Sequence, residues 1–188
     1  MPVLELHLIE GYTPEDKRRL GEALTDAVRF VVPAQPEGIV VMIHEMQPDA
    51  YYRGRDTKTP APSLPDPALL VRDYLAAMEA RDLDTAQAML GEGFTMQFPG
   101  SPQMTTLAEL IDWAKPRYRF VTKAYDGFDA MQGPMAAAIV YARGRLSGEW
   151  PDGTAFSNIR FIDRFEVTAG KITRQEVWND IAETKALA

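Results

Sequence analysis

Met1-Pro2-Val3-Leu4-Glu5-Leu6-His7-Leu8-Ile9-Glu10 opens the chain. Leu4, Leu6 and Leu8 are apolar while Glu5 and His7 alternate with them, the period-two pattern of a half-buried β-strand. The proline directly behind the initiator carries chemistry of its own. Removal of Met1 is expected, since processing permits it before proline, and it leaves Pro2 as a secondary amine fixed to the first residue of a rigid strand. An amino terminus titrates near ~8, and lower when desolvated or beside cations, so it can act as a general base near neutral pH. The plain alternative is a proline that merely happens to start a chain, and the following residues bear on that choice.

Glu10-Gly11-Tyr12-Thr13-Pro14-Glu15-Asp16 reads as a turn into a helix. Thr13 suits the N-cap, Pro14 the first helical position, and Asp16 the place where a capping box wants an acid. Leu20, Leu24, Ala27, Val28 and Val31 recur at helical spacing, and Pro33 and Pro36 end the helix. A second strand, Gly38 to Met46, is apolar at nearly every position and suits a parallel strand buried on both faces. Such a unit of about 55 residues is marginal for a core of its own. It is expected to bury its sheet against a second copy or another domain, which predicts a homo-oligomer.

Pro2, the strand, the Glu10-Gly11 turn, the helix and the second strand ending in Ile43-His44-Glu45-Met46 resemble the small tautomerase family typified by 4-oxalocrotonate tautomerase. In that family the amino-terminal proline is the base, and arginines bind the substrate carboxylate and polarise its carbonyl. The resemblance therefore implies Pro2 as catalytic base. The position after the Glu-Gly turn, often arginine in relatives, is Tyr12, and the arginine of the second strand falls at Val40. The aromatic that lines the family's pocket corresponds to Tyr51. Arg53 and Arg55 are candidates to replace the missing arginines, since a guanidinium binds a carboxylate bidentately. The competing reading of that pair is a solvated loop beside Asp49 and Asp56.

The 188 residues carry a formal net charge of −7 at pH 7, which argues against nucleic acid as a partner. There is no cysteine, and His7 and His44 face no acidic cluster with ligand spacing, so no metal and no cofactor is expected. No apolar run approaches the ~20 residues of a membrane span and no signal peptide opens the chain, so a cytoplasmic protein without a membrane partner is expected. Pro60, Pro62, Pro65 and Pro67 crowd one stretch that reads as a semi-rigid spacer. The expected organisation is a β-α-β unit at 1–57, a linker at 58–66 and a second domain at 67–188.

Asp66 and Pro67 start a helix with Leu70, Val71, Tyr74, Leu75 and Met78 on its buried stripe, ending near Arg81. A short helix over Asp84 to Leu90, a strand over Phe94 to Phe98 and a third helix over Thr106 to Lys115 follow. Four long strands are predicted at Tyr118–Met131, Ala136–Trp150, Thr154–Val167 and Lys171–Ile181. Helices first and an antiparallel meander afterwards make an α+β fold, three helices packed on one face of a curved sheet. Leu75-Ala76-Ala77-Met78-Glu79-Ala80-Arg81-Asp82-Leu83-Asp84 and Phe161-Ile162-Asp163-Arg164-Phe165 with Gly170-Lys171-Ile172 resemble the nuclear transport factor 2-like superfamily, including SnoaL-like proteins and ketosteroid isomerase. That superfamily contains enzymes, binding modules and assembly domains, so the resemblance implies a cone-shaped fold rather than one activity.

On the predicted strand 154–167, Ala155, Ile159, Phe161, Asp163, Phe165 and Val167 share one face, which puts the Asp163 carboxyl among apolar neighbours. Burial of that kind disfavours the anion. By the ketosteroid isomerase resemblance, Tyr74 and Asp163 fall on the two oxyanion-hole positions, while the catalytic base falls at Phe98. The competing reading makes Tyr74 a core residue and pairs Asp163 with Arg143 or Arg145. Trp178, with Asn179 and Asp180 near the end of the last strand, is a candidate to add hydrogen-bonding groups at the mouth of the cone, and the competing reading is a packed tryptophan. Three functions stay open: a tautomerase with Pro2 as base acting on a small carbonyl acid, tethered to a cone that binds a small apolar ligand or drives assembly; a non-catalytic binding or assembly protein; and a SnoaL-like cyclase or isomerase with its chemistry in the cone.

Overall fold

The computed structural model describes residues 1–134 and 137–186. The chain divides into two compact units, Met1–Ser63 and the remainder from Leu64 onward.

In the first unit, β1 (Val3–Ile9), α1 (Pro14–Val31) and β2 (Val40–Met46) form a β-α-β unit with the strands parallel, in register from Val3 opposite Val40 to Ile9 opposite Met46. The helix starts where the sequence has a capping box: Thr13 Oγ1 accepts from the Asp16 amide at 3.1 Å, and Asp16 Oδ2 accepts from the Thr13 amide at 3.1 Å. Glycine is required just before it. Gly11 has a φ of +140°, and a Cβ there would stand 2.7 Å from Pro60 Cγ. Pro36 starts a 3-10 turn over Pro36–Gly38, so β2 begins two residues later than the apolar pattern alone suggests. α1 is tied to β2 by Lys17 and Glu45 at 2.8 Å. Leu4, Leu6 and Leu8 are half-buried and Val3, Glu5 and His7 exposed, as the alternation requires. The expected burial of β2 on both faces is absent in a single chain, where Met42 is exposed. A short hairpin of β3 (Tyr52–Arg53) and β4 (Asp56–Thr57) follows, turning at Gly54.

Residues 58–66 carry no helix or strand. In the second unit, Asp66 caps α2 (Pro67–Ala80) by accepting from the Ala68 and Leu69 amides at 2.8 and 3.2 Å. Asp82 caps α3 (Leu83–Ala88), which ends before Leu90, because Leu90 already belongs to β5 (Leu90–Gln97). A Thr106–Glu109 capping box opens α4 (Leu107–Ala114). The meander is β6 (Phe120–Gln132), β7 (Ala138–Glu149), β8 (Ala155–Thr168) and β9 (Lys171–Asn179). The sheet order is β5-β9-β8-β7-β6, with β5 parallel to β9 and all other pairs antiparallel. Ala136, where the sequence pattern starts the second of the four strands, lies outside the described residues.

Three further features depart from the sequence expectation. β5 adds a parallel edge to a sheet read as wholly antiparallel. Ile181, read as the end of the last strand, instead begins α5 (Ile181–Ala186), its amide held by Asn179 Oδ1 at 3.2 Å. On β8 the register slips between Phe156 and Ile159, where Asn158 has a φ of +61°. That extra residue puts Phe156, not Ala155, on the buried face, while Ile159, Phe161, Asp163, Phe165 and Val167 keep the predicted parity. The core joins Val71, Tyr74 and Leu75 of α2 to Val140, Phe165 and Ile172 of the sheet. A second cluster gathers Leu146, Trp150, Phe156, Ile159 and Phe161.

Candidate functional site

Pro2 is half-buried immediately ahead of β1, its carbonyl accepting from the Val40 amide at 3.0 Å. That bond fixes the proline against the start of β2. Tyr12 lies beyond the other end of β1. At a strand rise of about 3.3 Å per residue, Pro2 and Ile9 are separated by about 23 Å. β2 also leaves at that far end, where the Glu10 amide donates to Met46 O at 2.8 Å. Tyr51 is half-buried after the 3-10 turn Pro48–Ala50, and Arg53 and Arg55 are exposed on the hairpin. Among the described residues, no hydrogen bond or ion pair joins Pro2, Tyr12, Tyr51, Arg53 and Arg55. One copy of the chain holds Pro2 and Tyr12 at opposite ends of a strand and does not bring them together.

The second unit does gather its candidates. A cavity of about 420 Å³ is lined by Tyr74, Leu75 and Met78 of α2, Leu110 and Ile111 of α4, Phe98, and Tyr125 of β6. A smaller cavity of about 50 Å³ shares Phe98, Tyr118, Val121 and Lys123 with it and reaches Asp163, Phe161 and Trp113. Trp178 lines neither. It sits on the outer face of β9, 53% exposed, because the strand alternation that buries Gln175 and Val177 turns it outward. Trp178 is therefore not among the residues that line these two cavities.

Asp163 is fully buried, and its partner is Lys123, not Arg143 or Arg145. Arg143 faces the other way and pairs with Asp129 at 2.9 Å. Arg145 stands opposite Arg160 in the register. Lys123 comes from β6, two strands from β8, across the small β7 residues Ala142 and Gly144 that lie between on the buried face. Its ammonium meets Asp163 Oδ2 and lies 4.6 Å from the centre of the Phe161 ring. Asp163 Oδ1 has no hydrogen-bond partner. Burial pushes the Asp163 carboxyl above the usual carboxylate range, and Lys123, with the Gln175 side chain behind it, opposes that rise.

Tyr74 Oη donates to Gln175 Oε1 at 3.2 Å in the same interior. Burial raises the Tyr74 and Tyr125 hydroxyls, with the Asp163 charge adding to it, so both are neutral donors. Tyr118 is raised by burial as well. The larger cavity is lined by Glu79, Arg81 and Lys123 besides its apolar residues, and the smaller one, which reaches Lys123 and Asp163, by Arg117 and Asn179 as well. Sequence reasoning missed Lys123 and Gln175. The signal for Lys123 was present, since Val121, Lys123 and Tyr125 share one face of β6.

A proline-led β-α-β unit followed by helices on an antiparallel-rich sheet with an interior cavity defines a two-part α+β protein. The family described as "Tautomerase enzyme" matches residues 2–59. The family described as "SnoaL-like domain" matches residues 71–175, more than half of the chain. The 2-hydroxymuconate tautomerase of Bacillus subtilis strain 168 is 45% identical over 51 residues, 27% of this chain and 82% of that protein. The chain thus belongs to the tautomerase family by its first unit and to the SnoaL-like family by its second. An NTF2-like protein of unknown function from Burkholderia pseudomallei K96243 shares the fold with a TM-score of 0.51 at 19% identity, over 63% of this chain and 94% of that one. An NTF2-like protein of Burkholderia thailandensis E264 does so at 0.50 and 21%, over 66% and 99%. These families support an enzyme with isomerase activity on a small-molecule substrate. Among the described residues, no helix is long and apolar enough to cross a membrane.

Proposed function

We propose that the chain is a tautomerase in which the Pro2 amine is the general base for keto-enol proton transfer on a small carbonyl acid. The observation that carries this reading is a tautomerase match that starts at Pro2 itself, on a residue held to β2 through the Val40 amide. With Met1 removed, the ring nitrogen takes the α-proton, the C–H pair becomes a C=C bond, and the carbonyl oxygen receives the charge. The same nitrogen returns the proton to oxygen or to the far carbon, so no co-reactant is consumed. Arg53 or Arg55 binds the carboxylate, and Tyr12 or Tyr51 donates to the carbonyl oxygen.

Since Tyr12 lies beyond a strand end about 23 Å from Pro2, the site is completed by a second copy of the chain. The open face of β1 and β2 supports such an assembly, with Val3 and Met42 exposed, as do Phe30 and Val31 at the end of α1, 94% and 80% exposed. The second unit binds a small apolar ligand or holds the copies together.

Three measurements test this. Intact mass spectrometry is expected to find a protein without Met1, since an acylated Pro2 nitrogen has no basicity. Pro2→Ala is expected to lower kcat/KM for phenylpyruvate tautomerisation by about 10²-fold or more, the scale of a general base. Oligomers co-refolded from Pro2→Ala and Arg53→Ala/Arg55→Ala chains are expected to regain part of the activity. A retained methionine, or a Pro2→Ala protein with the parent rate, refutes the reading.

A further inference from the structure

The two cavities of the second unit share Tyr118, and each has an arginine in its wall, Arg81 in the larger and Arg117 in the smaller. The two come from different elements. Arg81 closes α2 in the left-handed conformation, with a φ of +62°, and Arg117 lies just past the end of α4. The Arg117 guanidinium stands 4.2 Å from the centre of the Trp113 ring. That contact uses the face of the guanidinium and leaves its in-plane N–H donors free. Among the described residues, neither arginine has an ion pair or a side-chain hydrogen bond. The positive charge of both is felt at the Tyr118 hydroxyl, where it opposes the rise that burial causes. A single exposed arginine is an ordinary solvated side chain. Two from separate elements, acting on one buried hydroxyl beside an apolar wall, make a place where an anion is bound.

The carboxylates lie elsewhere. Glu79, also on the larger cavity, acts on Tyr125 and not on Tyr118, and Asp163 is matched by Lys123. With that pair cancelling itself, the two positive charges of Arg81 and Arg117 against the one negative charge of Glu79 leave a single positive charge. The wall beside it is apolar, with Leu75, Met78, Leu110 and Ile111.

We propose that Arg81, Arg117 and Tyr118 form an anion-binding rim, and that the ligand of the second unit is an amphipathic carboxylate with its apolar body in the larger cavity. This rests on the reading of the second unit as a binder of a small apolar ligand and adds a charged head to that ligand. A guanidinium meets a carboxylate through paired N–H donors, and the neutral Tyr118 hydroxyl donates to a remaining lone pair. One carboxylate balances the single positive charge, whereas a dianion such as a phosphate monoester leaves a negative charge unmatched. The charges also set the orientation. The head is drawn to the Tyr118 side and repelled from the Glu79 and Tyr125 side, which leaves the body against α2 and α4. The volume of about 420 Å³ suits that body, since sites for small organic ligands run from about 300 to 1,000 Å³.

The test uses the full-length Arg53→Ala/Arg55→Ala protein, so that the carboxylate binders proposed for the first unit are gone. The probes are 4-phenylbutanoate and its uncharged counterpart 4-phenylbutanamide. Titration calorimetry gives both affinities, and tryptophan quenching that disappears in Trp113→Phe places the probe at the cavity. The carboxylate is expected to bind about tenfold tighter than the amide or better. It is expected to weaken by about tenfold in Arg81→Gln and again in Arg117→Gln, the scale of one charge-assisted hydrogen bond each, while the amide keeps its affinity in both. Circular dichroism checks that the variants stay folded. Equal affinity for the two probes overturns the rim and leaves the apolar-ligand reading standing. So does a loss that is the same for both probes, or a carboxylate affinity unchanged in both variants. Binding of neither probe overturns both readings.

Discussion

Replacing Lys123 by methionine isolates the electrostatics of the second unit's interior, because the stem is kept and only the ammonium is lost. Asp163 is fully buried with Oδ1 already bare, so an ionised Asp163 without Lys123 is an uncompensated interior charge. Breaking a buried pair in this way typically costs about 3–5 kcal/mol. The variant can lower that cost by protonating Asp163, which makes the cost depend on pH.

The native carboxyl already sits above its ordinary value through burial, and Lys123 is the main opposing influence. Without Lys123 it rises further. A native pKa above the unfolded one means that the native state binds more protons in the window between them. Stability is then complete below the unfolded value of about 3.9 and falls as pH rises toward the native pKa. The slope is at most about 1.4 kcal/mol per pH unit for one group. A deficit of about 3 kcal/mol therefore develops across roughly two pH units.

Urea denaturation of parent and Lys123→Met proteins at a series of pH values measures it. The two midpoints are expected to converge toward acid pH and diverge toward neutral and alkaline pH. Loss of the Lys123–Phe161 contact adds only a constant offset of about 0.5–1 kcal/mol. A difference that stays flat with pH refutes the reasoning, since it means that the Asp163 proton does not respond to Lys123. So does a difference at alkaline pH no larger than the offset.

Gly144→Ala should destabilise the second unit by about 1–3 kcal/mol or more, since a Cβ there would stand 2.0 Å from the Ala124 carbonyl oxygen, a backbone atom that cannot swing aside; an unchanged thermal midpoint would contradict the close approach of β6 and β7. Tyr74→Phe should cost about 1–3 kcal/mol by leaving Gln175 Oε1 without its donor, while the edge-on contact with Phe165 at 5.9 Å is kept; a chemical-denaturation midpoint within error of the parent would show that the buried hydrogen bond contributes nothing.

Much of the fold was written locally. The leucines of β1, the Thr13–Asp16 box and the Asp66 cap are decided by residues no more than four apart, and each stands where its pattern says. Errors arose where a distant strand or a single backbone angle decides. The parallel docking of β5 on β9 joins residues some eighty positions apart, and nothing in Leu90–Gln97 itself distinguishes a parallel from an antiparallel edge. One left-handed residue, Asn158, moves Phe156 onto the buried face and Ala155 off it. A period-two reading cannot contain that slip, because it assumes that every residue advances the strand equally.

The same distinction governs the two candidate sites. Asp163 could be read as a buried acid because its neighbours on β8 are apolar, but its partner is fixed by what β7 omits. Ala142 and Gly144 carry too little side chain to block the span between β6 and β8, so a lysine forty residues upstream reaches across. An arginine on β7 itself looked closer in sequence, yet strand parity turns Arg143 to the opposite face, where Asp129 holds it. Pro2 is the converse case. Its proposed chemistry is local and legible, whereas Tyr12, one of the donors proposed for it, lies beyond the far end of the very strand that makes it rigid. An extended strand cannot fold back on itself, so the rigidity that fixes the base in position also separates it from Tyr12 in the same chain. For Pro2, the proposed site therefore needs a second molecule; for Asp163, the partner is found within the sheet.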